Sequence, residues 1–211
     1  MIYSEKEFNG LRYCLYLPDG FDENMRYPVV FFTHGAGSRG DDLTLIKHHP
    51  VVENILSQIG EGILIAPQCP SNTWFDVFEN LLALVEYAYN RPYTNQERFY
   101  GAGASMGGYA AYQLMMSRPN IFAAGIVCCG GGMYWNAERL KEIPLRIFHG
   151  AQDTVVLPCE SEHMSERVNA CGGNAKLVIF PDCGHDCWTK TFQDDENIKW
   201  LLKQEKKYAR I

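Results

Sequence analysis

One serine of the chain lies in a pattern that favours nucleophilic catalysis. Ser105 sits in GASMG, residues 103–107, which satisfies the spacing G-x-S-x-G between a strand-like and a helix-like segment. At such an elbow the serine occupies a strained turn that exposes its hydroxyl above a sheet. The helix that follows directs its positive N-terminal end at the site. The pattern predicts a nucleophile, although a glycine-rich turn with a helix-capping serine would use the same residues.

A serine hydroxyl is a weak nucleophile until a base takes its proton. Among the six histidines, His185 follows the last predicted strand in FPDCGHDCW. Sites of parallel α/β sheets form at the carboxyl ends of the strands, so we predict His185 as the base. His34 and His149 also end strands, but each directly precedes a glycine within another motif. His48 and His49 lie in a polar segment and are expected at the surface.

The base needs an acid that fixes its tautomer and stabilises the imidazolium. Asp153, in FHGAQD, follows the strand-like residues 145–148 and is our candidate. Asp182 and Asp186 are rivals, but sequence neighbours of His185 are poorly placed to bond the far nitrogen of its ring. Three residues that each follow a predicted strand are more specific than any one of them alone.

An oxyanion hole would complete this chemistry with two backbone N–H donors. The first donor is predicted at Met106, the residue after the nucleophile. The second is expected in THGAGSRGDD, residues 33–42, where we assign it to Ala36 with Gly37 as the rival. A plain glycine turn that ends a strand would give the same sequence.

Five residues near predicted strand ends are candidates for the substrate pocket. His34 and Gly35 belong to the predicted oxyanion loop. Trp74 follows APQCP, Trp135 lies in the short segment MYWNAERLKEI, and Trp188 comes just after the predicted base. Aromatic walls suit an acyl chain, a phenolic acid or a sugar face. Each tryptophan could equally be ordinary core packing.

Alternating strands and helices are expected to position these residues, which indicates an α/β fold with a mostly parallel sheet. The strands are predicted at residues 11–18, 29–35, 62–67, 98–104, 122–131, 145–150 and 176–181. Helices are predicted at residues 75–89, after Ser105 as far as Pro119, at 158–171, and from Asp194 or Asp195 onward. Residues 1–211 are expected to form a single domain without a large cap domain.

The composition of the 211 residues is that of an ordinary globular domain, with 46% hydrophobic and 21% charged residues. The net charge of −6 without blocks of like charge argues against nucleic acid as a partner. No apolar run reaches transmembrane length, so no membrane partner is expected. The segment MIYSEKEFNGLRYC carries acidic residues and lacks the apolar region of a signal peptide, and a cytoplasmic location is expected.

The cysteines are expected to be free, buried thiols, since most lie in apolar or strand-like segments. They are residues 14, 69, 128, 129, 159, 171, 183 and 187. The cluster CGHDC, residues 183–187, could suggest a metal site. Zinc sites usually need three or four ligands with further spaced pairs, and no second cluster is present. We therefore predict neither a metal nor another cofactor.

In these motifs the chain resembles small, lidless serine esterases of the α/β-hydrolase superfamily. The resemblance runs from about Leu11 to Trp200 and rests on HGAGSRGDD, APQCP, GASMGGYAA, IFHGAQDTVV and GHDCW. The chain is similar to carboxylesterase/phospholipase-type enzymes and to dienelactone-hydrolase-like proteins. It is also similar to esterase domains that remove acetyl or feruloyl groups from plant polysaccharides. The prolyl-oligopeptidase catalytic domain is a more distant relative.

The order Ser105, Asp153, His185 is the order of this superfamily. Dienelactone hydrolases use a cysteine nucleophile, so the serine implies an esterase acting on small or carbohydrate-linked esters through an acyl-enzyme. The alternatives are a serine peptidase or a thioesterase with the same triad, or a non-catalytic binding protein of this fold. The expected partner is a small-molecule ester, and a homodimer is left open.

Overall fold

The computed structural model describes residues 1–206; the last five residues of the predicted 1–211 domain lie outside the described part. Eight strands form one sheet in the order β1-β2-β4-β3-β5-β6-β7-β8. They are β1 (Ile2–Phe8), β2 (Leu11–Leu17), β3 (Tyr27–Thr33), β4 (Ile63–Pro67), β5 (Thr94–Ala104), β6 (Ala124–Cys128), β7 (Leu145–Gly150) and β8 (Ala175–Phe180).

The sheet is antiparallel at one edge and parallel elsewhere. The strand β2 pairs antiparallel with both β1 and β4, and every pairing from β4 through β3 to β8 is parallel. The strands β4 and β6 are buried at every position, as expected of parallel strands covered on both faces. The predicted α/β class with a mostly parallel sheet is confirmed.

Helices cover both faces of the sheet and form a separate apolar core on each. On one face pack α3 (Phe78–Tyr89), α4 (Met106–Ser117) and α5 (Cys159–Ala170). On the other face pack α1 (Thr44–Lys47), α2 (Pro50–Gln58), α6 (Cys187–Gln193) and α7 (Asp195–Leu202). Short 3-10 helices lie at Ala36–Ser38, Trp74–Val77 and Tyr134–Leu140.

Four of these strands and α-helices were not predicted from the sequence: β1, α1, α2 and α6. The strand β1 lies at the sheet edge and is largely exposed, so its residues carry no buried apolar run. The helix α2 begins with Pro50 at its first turn, and the His49 ring accepts a hydrogen bond from the Val51 N–H. The helix α6 is capped by Asp186, whose carboxylate accepts from the Thr189 N–H. Two of these unpredicted helices flank the candidate site.

The segment between β6 and β7 contains only the 3-10 helix Tyr134–Leu140. This agrees with the expectation that no large cap domain is inserted there, and the carboxyl edge of the sheet is left open. Across residues 1–206, no helix has the length and apolar character needed to cross a membrane.

Candidate active site

Ser105 occupies a strained turn between β5 and α4. Its backbone angles are φ 55° and ψ −124°, a region that residues other than glycine rarely adopt. The turn is held from both sides, because the Ser105 N–H donates to the Cys128 carbonyl and the Ser105 carbonyl accepts from the Gly108 N–H. The predicted strand–turn–helix context of the serine is therefore present.

Backbone crowding explains the two glycines of the motif. A Cβ atom on Gly103 would lie 2.2 Å from the carbonyl oxygen of Gly107. A Cβ atom on Gly107 would lie 2.0 Å from the carbonyl oxygen of Thr33. Both distances are far below van der Waals contact, so the elbow closes against β3 only when these two positions lack side chains.

The structure brings the predicted nucleophile, base and acid into one chain of hydrogen bonds. The Nε2 atom of His185 lies 2.8 Å from the Oγ atom of Ser105. The Nδ1 atom of His185 lies 2.7 Å from Oδ2 of Asp153. Because a carboxylate only accepts, Nδ1 carries the ring proton and Nε2 accepts from the serine hydroxyl. This tautomer is the one that a serine base requires.

The Asp153 side chain is fully buried, yet it is kept ionised by its donors. Its Oδ1 accepts from the N–H groups of Val155 and Val156 at 2.8 and 3.0 Å. Burial acts to raise the pKa of this carboxyl, but the hydrogen bonds from His185 and the two amides outweigh it and hold the pKa below its usual value. The rival Asp186 is instead occupied as the cap of α6, and Asp182 is exposed.

Two backbone amides near the serine are free of helical partners. Met106 is the first residue of α4, and Ala36 is the first residue of the 3-10 helix Ala36–Ser38. First-turn N–H groups have no acceptor within their own helix. Ala36 and its rival Gly37 both line a cavity with Ser105, and Met106 lines an adjoining depression. The predicted donors thus flank the serine.

Two residues predicted for the pocket, His34 and Trp74, do not face it. Both are fully buried, with ring centroids 4.9 Å apart. The indole Nε1 donates to the His34 carbonyl, the His34 Nε2 accepts from the Cys69 N–H, and Nδ1 lies 2.6 Å from the Gly35 carbonyl. We correct their predicted role: they support the loop that carries Gly35 and Ala36.

The remaining pocket candidates divide between the cavity and the surface. Gly35 and Trp188 line the cavity, and the Trp188 ring packs edge-on against His185 with centroids 5.2 Å apart. Trp135 is 69% exposed on the 3-10 helix Tyr134–Leu140 and is absent from the described cavity walls, which corrects its predicted role.

Ser105 lies between two depressions of different character. The first is a cavity of about 540 Å³ on the His185 side, to which His48 and His49 contribute. The expectation that these histidines lie at the surface holds for His48 but misses their contribution to the cavity. The start of α2 at His49-Pro50 was the signal that could have located them.

The second depression is apolar and lies on the Met106 side. It is walled next to Ser105 by Phe75, Tyr109 and Val156. It continues into a groove of about 580 Å³ that shares Phe75 and Tyr109 and extends to Met133. These wall residues were not predicted. Tyr109, four residues after the serine and hence on the same face of α4, was the one recognisable from spacing.

All eight cysteines lie in the described part and are free thiols. In CGHDC the Cys183 thiol bonds the Asp186 carbonyl, and the buried Cys187 thiol bonds the Phe148 carbonyl. Within residues 1–206 the one group of three potential metal ligands consists of Cys129, Asp153 and His185. Asp153 and His185 are already joined by a hydrogen bond, so CGHDC itself does not form a cluster of ligands.

The buried His34 makes the fold sensitive to acid. Burial lowers the pKa of His34 from 6.5 to about 4. Between these pH values His34 is therefore protonated in the unfolded chain but neutral in the native state. We expect the free energy of unfolding to fall by about 3 kcal/mol as pH drops from 6.5 to 4. Urea titrations across this range measure the slope.

His34→Gln is the matched control for this slope, because its amide oxygen still accepts a hydrogen bond but does not titrate. The slope should become shallower without vanishing, since burial also lowers the pKa of His49. An unchanged slope in His34→Gln would show that the acid sensitivity arises elsewhere.

Comparisons with known proteins agree with this geometry. A family model described as the prolyl oligopeptidase family matches residues 75–135. The chain is 26% identical over 191 residues to a probable feruloyl esterase C of Aspergillus niger, covering 88% of this chain and 71% of that protein. It is 21% identical to dipeptidyl-peptidase 5 of Porphyromonas gingivalis, covering 80% of this chain and 32% of the peptidase.

Solved structures share the fold over nearly the whole chain. A thermostable esterase superposes with a TM-score of 0.81 at 28% identity, covering 97% of this chain and 63% of that protein. Est1E from Butyrivibrio proteoclasticus superposes with a TM-score of 0.70 at 20% identity, and the match covers 95% of this chain and 97% of Est1E. The chain thus spans less than two thirds of the first esterase and about a third of the peptidase. The chain thus has the α/β-hydrolase fold, and its serine elbow and overall structure are similar to those of serine esterases.

Proposed function

We propose that the chain is a carboxylesterase that cleaves small or carbohydrate-linked esters through an acyl-enzyme on Ser105. His185 acts as the base and Asp153 as the acid that orients it. The observation that carries the proposal is the hydrogen-bonded series Ser105–His185–Asp153 beside an open cavity. The 22% exposure of the His185 side chain leaves the base within reach of a substrate.

In the proposed reaction, the Ser105 Oγ bonds to the ester carbonyl carbon while its proton passes to Nε2 of His185. The N–H groups of Met106 and Ala36 stabilise the oxyanion, and losing one such donor costs on the order of 3 kcal/mol. The C–O bond to the alcohol then breaks, and the leaving alkoxide takes the proton from His185. Water, activated by the same base, releases the acid and restores Ser105.

The two depressions support an assignment of the two halves of the ester. The leaving oxygen must lie next to Nε2 of His185, so the alcohol occupies the cavity walled by His185, Trp188 and His48. The acyl group then extends past Met106 into the apolar groove of Tyr109 and Phe75. Aromatic walls in an open groove favour a short aliphatic or a flat aromatic acyl group. The similarity to proteins named feruloyl esterases supports this choice.

Acyl-chain length tests this proposal. The groove is open and carries no large cap, so a methylene beyond its walls gains little of the ~0.8 kcal/mol that burial supplies. We expect kcat/KM for p-nitrophenyl esters to peak between acetyl and butyryl and to fall toward palmitoyl, with good turnover of a cinnamoyl-type ester. A maximum at twelve or more carbons, or a rate jump above the micellar concentration, would contradict the assigned groove.

The matched variants for the acyl groove are Tyr109→Ala and Trp135→Ala. Tyr109 lines the groove beside Ser105, so its loss should reduce the preference for the aromatic acyl group about tenfold, which corresponds to ~1.4 kcal/mol. Trp135 is exposed and lines none of the described walls, so its loss should leave the preference unchanged. Equal effects of both variants would argue against the groove.

A serine peptidase is the second candidate, because the family model and several relatives belong to peptidases. Hydrolysis of an aminoacyl-anilide at a rate matching p-nitrophenyl acetate would favour it, and a thioester substrate tests the thioesterase alternative. A non-catalytic protein would fail to react with a fluorophosphonate. The cytoplasmic location and the absence of nucleic-acid, membrane and cofactor partners stay predictions, and a homodimer stays open.

A further inference from the structure

A second histidine contacts the same carboxylate oxygen of Asp153 that His185 contacts. His149 lies on β7 and is fully buried. Its Nε2 atom lies 2.9 Å from the carbonyl oxygen of Val156 and 3.2 Å from Oδ2 of Asp153. Both neighbours are acceptors, so Nε2 must carry a proton, and its N–H donates to the Val156 carbonyl with Oδ2 close beside it.

The other ring nitrogen of His149 is held by a serine on α5. The Oγ atom of the buried Ser161 lies 2.7 Å from Nδ1 of His149 and 3.3 Å from the Gly130 carbonyl. In the neutral ring the Ser161 hydroxyl donates to Nδ1 over the shorter distance, which leaves the ring proton on Nε2. Ser161 thus orients the His149 ring in the tautomer whose Nε2–H faces Val156 and Asp153.

We infer that His149 is a positioning residue for the proposed acid: its Nε2–H holds the Val156 carbonyl and lies beside Oδ2 of Asp153, where it limits the negative charge that the base receives. The inference rests on the proposed function. Oδ2 accepts from His185 at 2.7 Å and lies 3.2 Å from Nε2 of His149, while Oδ1 accepts from the amides of Val155 and Val156. A polarised N–H beside Oδ2 stabilises the carboxylate charge, and the bond to the Val156 carbonyl fixes the turn whose amides hold Oδ1.

Cysteine and tyrosine side chains also lie near this carboxylate. Hydrogen bonding with Cys187 and burial raise the pKa of Cys129, which approaches Asp153 from the end of β6. Hydrogen bonds with Cys128 and Cys129 lower the pKa of Cys187 on α6. Burial raises the pKa of Tyr109 on α4 and of Cys183 before His185. None of the variants below removes a cysteine, so the charge of this cluster is common to all of them.

The test compares His149→Asn with His149→Gln. A glutamine amide reaches the position of Nε2 and still places an N–H at the Val156 carbonyl and beside Asp153, whereas an asparagine amide reaches only the position of Nδ1 beside Ser161. Without that N–H, Asp153 presents more charge to His185 and stabilises its protonated form. We expect the acidic limb of kcat/KM in His149→Asn to move up by about half to one pH unit and kcat to fall about tenfold.

His149→Gln should keep the acidic limb of the wild type. A purely structural role would lower the thermal stability of both variants and leave the acidic limb of kcat/KM of each variant where it is in the wild type. That result would overturn the inference. If His149→Asn does not fold, Ser161→Ala carries the test, because the His149 ring then loses the hydrogen bond that orients its Nε2–H toward Val156 and Asp153. Its limb should shift in the same direction, and an unshifted limb in folded Ser161→Ala would equally contradict us.

Wild-type activity on p-nitrophenyl acetate separates this inference from the proposed function. If the wild type hydrolyses the ester and the limbs of all variants coincide, only the role of His149 fails. If the wild type neither hydrolyses the ester nor reacts with a fluorophosphonate, the proposed function fails, and this inference fails with it.

Discussion

Replacement of Ser105 by alanine is expected to lower kcat for p-nitrophenyl acetate by roughly 10⁴- to 10⁶-fold. The variant lacks the oxygen that would bond to the acyl carbon, and the hydroxyl that now bonds Nε2 of His185 is the only group the substitution removes. The oxyanion donors and both depressions remain, so a small residual rate over water should persist. Single-turnover kinetics measure the loss of the acylation burst.

The fold should survive this substitution. Ser105 donates no side-chain cap to α4, and alanine meets the same positive φ that serine already tolerates. The melting temperature and the near-ultraviolet circular dichroism should therefore match the wild type. Ser38→Ala is the control, because Ser38 lines the same cavity and should change kcat less than threefold. A fluorophosphonate adduct that maps to a peptide without Ser105, or an active Ser105→Ala enzyme, would refute the proposed nucleophile.

The serine elbow and the series Ser105, Asp153 and His185 could be predicted, because local chain geometry determines where these residues lie. Gly103 and Gly107 are required by backbone contacts within one turn and with the next strand, and such contacts leave a readable pattern in the sequence. Asp153 and His185 follow β7 and β8, and the ends of neighbouring parallel strands meet at one edge of the sheet. The position of each residue could therefore be predicted from the end of a strand, without knowledge of the side-chain packing.

The walls of the site could not be predicted in the same way. The end of a strand fixes where a residue lies but not which way its side chain turns, so Trp74 and His34 were expected in the pocket although both point into the core. Conversely, His48, Phe75 and Val155 reach the cavities from segments that have no periodic pattern in common. Only the packing of α2, α3 and the β7–α5 loop brings such residues together.

The edges of the fold escaped prediction for a related reason. The strand β1 is held by seven register pairs with β2 and exposes most of its side chains, so it lacks the apolar run by which the central strands were recognised. The strand predicted at residues 122–131 is shorter, because it ends at Cys128 and Cys129 adopts a positive φ of 39°. This turn contacts the serine elbow, because the Cys128 carbonyl accepts from the Ser105 N–H.

Asp153→Asn is expected to lower kcat by about 10³- to 10⁴-fold without unfolding the protein. The asparagine oxygen still accepts from the Val155 and Val156 amides, as Oδ1 of the aspartate does. Its NH₂ group then faces Nδ1 of His185 where a carboxylate oxygen accepted. The ring must turn its lone pair to that donor and carry its proton on Nε2, so it no longer accepts the Ser105 proton.

Reversing the asparagine amide does not rescue the base. In the reversed orientation the NH₂ group meets the N–H donors of Val155 and Val156, and two buried amides are left without an acceptor. The loss should therefore appear in kcat with little change in KM. Asp186→Asn is the matched control: asparagine caps a helix about as well as aspartate, so this variant should keep both the stability and the activity. Should Asp153→Asn remain active while Asp186→Asn or Asp182→Asn is inactive, another carboxylate would be the acid, and the 2.7 Å contact between Asp153 and His185 would have no part in catalysis.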